Sequence, residues 1–227
     1  IKDAGDPIEL AKKYVAEGAD ELVFLDITAT IEKRETLVEL VKKISKEIDI
    51  PFTVGGGINS IEDAAKVIAA GADKVSINSS AVNRPELITE IASRFGSQCV
   101  VLAIDTKYVD NDWQVFINGG RTSTELEAID WARTAVQLGA GEILLTSMNN
   151  DGTKKGFAID IVDAVSTAVN VPVIASGGAG SMEDFKVLFN KTKATAGLAA
   201  SIFHYGEIPI PELKNYLKTN KITVRCK

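Results

Sequence analysis

The chain has 227 residues, 45% of them hydrophobic, with 25 Lys and Arg against 31 Asp and Glu and a formal net charge of −6. No apolar run reaches the ~18 residues that span a bilayer, and the acidic, mixed-sign balance argues against a membrane or a nucleic acid as partner. The two cysteines, Cys99 and Cys226, have no metal-ligand spacing and fit a reduced, cytoplasmic protein.

Asp6, Pro7 and Gly18 bracket a first helix as N-cap, first helical residue and stop. Apolar runs then recur along the chain: "ELVFLDI" (21–27), "IPFTV" (50–54), "KVSIN" (74–78), "CVVLAID" (99–105), "EILLTS" (142–147), "VPVIAS" (171–176) and "AGLAAS" (196–201). They are continuous rather than alternating, the pattern of strands buried on both faces. Between them, Ser60 and Asp63 form a capping box ahead of "AAKVIAA", a helix stopped by Gly71. Pro85 opens a helix that Gly96 ends, and another runs from near Thr124 to Gly139. This alternation predicts a parallel sheet with right-handed crossovers.

The chain also repeats itself. "PFTVGGGINSIEDA" (51–64) returns as "PVIASGGAGSMEDF" (172–185), and "GADELVFLDI" (18–27) as "GAGEILLTSM" (139–148), both at an offset of 121 residues. The expected architecture is an α/β fold, a (βα)8 TIM barrel forming one domain over 1–227 from two (βα)4 half-barrels, 1–98 and 99–227. Seven runs are visible where eight are required. The unmatched run is "CVVLAID", whose counterpart would precede Ile1. The expectation is therefore an N-terminally shortened chain, without its first strand and the loop after it.

In such barrels the active site lies at the C-terminal ends of the strands. "GGG" (55–57) and "SGG" (176–178, with Gly177 and Gly178) sit there, as do "INSS" (77–80) and "AASI" (199–202). Glycine lets backbone N–H groups approach an anion, and a following helix offers its positive end. Two such cradles half a barrel apart suit a long substrate with a phosphate at each end; the plainer alternative is that the glycines only make tight turns. Asp105 ends an apolar run and suits a general acid or base, or else caps a loop. Asp151, in "NNDGTKKG" (149–156), has the same two readings, substrate binding or capping. For His204, the only histidine, a surface or packing role is favoured over chemistry. At the opposite strand ends, Glu21, Lys74 and Glu142 share one register. The reading favoured is an inward charged ring able to gate the bottom of the barrel, against the alternative that all three point into water.

"ELVFLDIT", "PFTVGGGI", "ADKVSINSSAV", "FGSQCVVLAID", "GAGEILLTSMNNDGT", "PVIASGGAG" and "AASIFHYGEI" together resemble the cyclase family of imidazole glycerol phosphate synthases over essentially the whole chain. The resemblance implies an ammonia-dependent cyclase and lyase of histidine biosynthesis. Its substrate would be phosphoribulosyl-formimino-aminoimidazole carboxamide ribonucleotide, cleaved to imidazole glycerol phosphate and aminoimidazole carboxamide ribonucleotide. It further implies Asp105 as one of two catalytic aspartates, the other belonging to the strand missing from this chain. Phosphate contacts would fall at Gly57, Asn78 and Ser79 on one side and Gly178, Ala200 and Ser201 on the other, with Thr146 and Gly152 near the substrate. Glu21, Lys74 and Glu142 would form the ammonia gate, fed by a glutaminase subunit docked as a heterodimer on the N-terminal face of the barrel. No metal or organic cofactor is implied. Other readings are the related isomerase one step earlier, a paralogue acting on another substrate in surface-sugar synthesis, and an inactive partner-binding scaffold.

Overall fold

The computed structural model describes residues 6–25 and 31–225. The Asp6 carboxylate accepts the Ile8 and Glu9 N–H groups at 2.7 and 3.3 Å, which starts α1 (Pro7–Glu17), and Gly18 ends it in the left-handed region at φ 88°. All seven expected strands form: β1 (Leu22–Leu25), β2 (Phe52–Gly55), β3 (Lys74–Ile77), β4 (Val100–Val109), β7 (Glu142–Ser147), β8 (Val173–Ser176) and β9 (Ala196–Leu198). They pair in parallel in that order. Helices α2 (Ile31–Ile44), α3 (Ile61–Ala69), α4 (Ser79–Asn83), α5 (Glu86–Phe95), α6 (Ala128–Leu138), α7 (Ile159–Ala168), α8 (Met182–Lys191), α9 (Ser201–His204) and α10 (Ile210–Thr219) fill the connections. The result is a curled, TIM-barrel-like α/β sheet.

Two ties show how far the sheet curls. Lys214 of α10 reaches Asp20 beyond α1 at 2.7 Å, and the Tyr14 hydroxyl of α1 bonds His204 Nδ1 of α9. The first and last helices therefore meet, although among the described residues β1 pairs only with β2 and β9 only with β8. His204 is a packing residue in this arrangement, and burial followed by the charge of Lys13 lowers its pKa.

Side-chain alternation sorts each strand into two faces. Val100, Leu102 and Ile104 of β4 join the large core beneath the helices, with Ile143 and Leu145 of β7. Val101 forms a separate small cluster with Leu144 and Ile174, packed by Ala103, Ala196 and Leu198 on the concave face. Residues two apart share a face. Asp105 therefore continues the row of Val101 and Ala103 toward the mouth, and Thr146 extends the row of Glu142 and Leu144.

The repeat is visible in individual hydrogen bonds. Leu22 N–H donates to Pro51 O, and Ile143 N–H to Pro172 O. The pairing Leu22↔Phe52 returns as Ile143↔Val173. The N-caps Ser60 (φ −145°, ψ 164°) and Ser181 (φ −143°, ψ 163°) are nearly superimposable in conformation. The offset then slips by one: Val54↔Val75 corresponds to Ala175↔Gly197.

One sequence expectation needs correction. The helix ending at Gly139 starts at Ala128, not near Thr124. Thr122–Glu127 is instead strand β6, antiparallel to β5 (Asp112–Ile117), which folds back on β4. Thr124 Oγ1 donates to Val115 O in this hairpin, so its β-branched side chain serves a sheet rather than a helical turn. β4 turns into β5 through Asp110 and Asn111 at φ 52° and 66°, residue types that tolerate the left-handed region. At Ser60, Oγ accepts the Asp63 N–H at 3.1 Å, as expected of this N-cap, and the Asp63 carboxylate accepts the Asn59 N–H. A reciprocal capping box also forms at Ser181 and Asp184.

Candidate active site

Asp105 stands near the C-terminal end of the parallel part of β4, in register with Thr146. Asn78, at the end of β3, donates from Nδ2 to Asp105 Oδ2 at 3.0 Å and to Phe116 O of the hairpin at 3.4 Å. Burial pushes the Asp105 carboxyl above its ordinary value, the Asn78 hydrogen bond pulls it back, and the charge of Asp151 pushes it up again. The Asn78 Oδ1 is buried without a hydrogen-bond partner among the described residues. A buried carboxyl whose pKa is raised, held by one oriented amide, suits proton transfer at the mouth.

Six of the sequence-predicted residues line one cavity of about 210 Å³: Asp151, Gly152, Gly177, Gly178, Ala200 and Ser201. Gly178 has φ 102°, and a Cβ there would stand 2.1 Å from Gly156 O, a backbone atom unable to swing aside. The loop after β7 is clamped on this turn: Gly156 N–H donates to Gly178 O at 2.8 Å, and Asn150 Nδ2 to Gly156 O at 2.8 Å. Gly178→Ala should consequently lower stability by about 2 kcal/mol or more and weaken ligand binding at the cavity. Gly152→Ala is the control, since Gly152 has a positive φ but nothing within 4 Å of its added Cβ. It should lose only about 1 kcal/mol in thermal unfolding.

The second predicted cradle is arranged differently. Gly57 (φ 66°) follows β2, and Asn78 and Ser79 follow β3. Here the β5–β6 hairpin crosses the mouth, and Asn118 N–H donates to Ser79 Oγ at 2.9 Å. One cradle is open and the other is bridged by the hairpin.

At the opposite end of the concave face, Lys74 Nζ bonds Glu142 at 2.8 Å and Glu21 at 2.9 Å. The three side chains are 18%, 10% and 39% exposed in the order Lys74, Glu142, Glu21. Burial alone would lower the Lys74 pKa, but its bonds to Glu142 and Glu21 hold it above the ordinary value. Burial raises the Glu142 carboxyl, and Lys74 offsets part of that rise. The ring foreseen at the shared register is thus one bridged ion triad.

Residues 1–209 match the profile of the histidine biosynthesis protein family. The chain is 58% identical over 226 residues, 99% of its length and 90% of the relative, to "Imidazole glycerol phosphate synthase subunit HisF" of Hydrogenobaculum sp. (strain Y04AAS1). It is 58% identical, at the same coverages, to the subunit HisF of Halalkalibacterium halodurans. It is 56% identical over 225 residues to that of Natranaerobius thermophilus, again 99% of this chain and 90% of the relative. The chain belongs to the HisF family.

In this HisF-family chain the structure also brings residues to the site that the sequence did not single out. Lys154 lines the open cavity, and Asn118 bridges the other cradle. The signal for Lys154 was present in "NNDGTKKG", but its neighbour across the loop, Glu207, lies 53 residues away.

Proposed function

We propose that this chain is the cyclase subunit of an imidazole glycerol phosphate synthase. It adds ammonia to phosphoribulosyl-formimino-aminoimidazole carboxamide ribonucleotide, and cyclisation and cleavage give imidazole glycerol phosphate and aminoimidazole carboxamide ribonucleotide. In this reading the glycine turns and strand ends at Gly57, Asn78 and Ser79 hold one phosphate. The cavity at Gly152, Gly177, Gly178, Ala200 and Ser201 holds the other. Asp105 moves a proton at the reacting carbon skeleton between them, oriented by Asn78, with Thr146 and Asp151 beside the substrate. The two halves would meet between residues 98 and 99.

The observation that carries the cyclase over the isomerase is the triad Glu21–Lys74–Glu142. An isomerase that takes no ammonia has no use for an ion cluster at the bottom of the barrel, where burial makes it costly. Ammonia released by a docked glutaminase subunit would pass this triad and follow the concave face upward. There Thr53, in register with Lys74, offers a buried hydroxyl without a partner among the described residues. Small polar groups of this kind suit a neutral hydrogen-bonding passenger. Among the described residues no helix is long and apolar enough to cross a membrane; we place the enzyme in the cytoplasm.

The test is to incubate the purified protein with the bis-phosphate substrate, with and without ammonium chloride, and resolve products by chromatography. Two products that appear only with ammonium support the cyclase. A single product isomeric with the substrate, formed equally without ammonium, would assign the chain to isomerase chemistry.

A further inference from the structure

We propose that Lys154 is the cation of the open cradle, held in reserve by Glu207 and transferred to a phosphate when one arrives. This rests on the reading of that cradle as a phosphate site. Among the residues lining the cavity, Lys154 carries the one positive side chain and Asp151 the one negative. Its Nζ is engaged away from the cavity, bonded to both carboxylate oxygens of Glu207 at 2.6 Å.

The backbone of Lys154 is fixed while its side chain is free to turn. Lys154 sits at φ 56°, a conformation that a side-chain-bearing residue keeps only where its surroundings hold it. The clamp of Gly156 on Gly178 supplies that hold on one side. On the other, a Cβ on Gly180 would stand 2.4 Å from Lys154 O, so the two backbones are already in contact. The Lys154 and Glu207 side chains are 43% and 38% exposed, and an exposed pair of this kind is weak. A phosphate carrying about −1.5 to −2 charges competes well against one carboxylate. The transfer changes position rather than net charge: it brings the Lys154 charge to the anion and leaves Glu207 to water. The pairing with Glu207 thus satisfies Lys154 while the cradle is empty and makes it selective for a dianion over a single carboxylate.

The experiment titrates inorganic phosphate into the whole protein and follows the Gly178 and Ser201 amide resonances. It compares the wild type with Glu207→Gln, Lys154→Met and the double variant. Glu207→Gln should bind phosphate up to roughly fivefold more tightly, the scale of one exposed ion pair. Lys154→Met should bind it about tenfold more weakly, and the double variant should match Lys154→Met. A Glu207→Gln gain that persists in full without Lys154 would mean that Glu207 acts by its field alone, and overturns the proposal. So does wild-type affinity in Lys154→Met. A wild type whose Gly178 and Ser201 amides do not respond to phosphate overturns both the proposal and the phosphate reading of the cradle.

Discussion

Asp105→Asn should lose turnover by a factor of about 10² to 10⁴, the range of a general acid or base, with substrate affinity nearly unchanged. Asn fills the same volume and its carbonyl still accepts from Asn78 Nδ2, so the geometry of the mouth survives and only the movable proton is gone. The same substitution should stabilise the fold. The Asp105 pKa is raised above its unfolded value, chiefly by burial. Ionising it in the native state therefore opposes folding as pH rises through the ordinary carboxylate range, and this penalty is complete above the raised pKa. At pH 7 the variant should melt a few degrees higher than the wild type, and the gap should close in acid. Steady-state rates and thermal unfolding at two pH values check both halves. Near-normal turnover would remove Asp105 from the chemistry.

Lys74→Ala is the second large effect, and it separates two sources of ammonia. The variant should keep turnover driven by ammonium salts, which reach the mouth from solvent, and lose turnover driven by glutamine through the partner subunit. It should also be less stable. Removing one member of a buried ion pair leaves the other charge uncompensated, at about 3–5 kcal/mol for full burial, and Glu142 is only 10% exposed. Glu21, at 39% exposure, loses less because water replaces its partner. The Lys74 pKa is raised, so its contribution holds through neutral pH and fades only in strong alkali as the lysine deprotonates. Pairing Lys74→Met with Glu142→Gln removes the orphan charge. That double variant should recover stability without recovering glutamine-driven activity. Equal loss in both assays, in a folded double variant, would sink the gate reading.

Burial made the parallel strands legible. Runs such as "CVVLAID" and "EILLTS" are apolar through their middles because helices cover one face and Leu144, Ile174 and Val101 fill the other. The repeat was legible because conformation constrained it: Gly57 and Gly178 both occupy positive φ, and Ser60 and Ser181 cap helices in one geometry. The triad at Glu21, Lys74 and Glu142 was readable because its charges break an apolar register. The β5–β6 hairpin was not read. Its strands are short and β6 is largely polar, and the turns at Asp110 and Asn111 before β5 and at Asn118 to Gly120 after it look like ordinary loop chemistry until the pairing with β4 is known. Nor could spacing reveal contacts made only by the curl of the sheet. Asn78 meets Asp105 across 27 residues, Lys154 meets Glu207 across 53, and Tyr14 meets His204 across 190.

The most direct test of the ammonia-dependent cyclase is a turnover experiment with ¹⁵N-ammonium and the bis-phosphate substrate, read by NMR of the products. The account predicts that the label enters the imidazole ring of imidazole glycerol phosphate, that aminoimidazole carboxamide ribonucleotide appears in equal amount, and that Asp105→Asn abolishes both. Substrate consumed at the wild-type rate with no label in any product would contradict it.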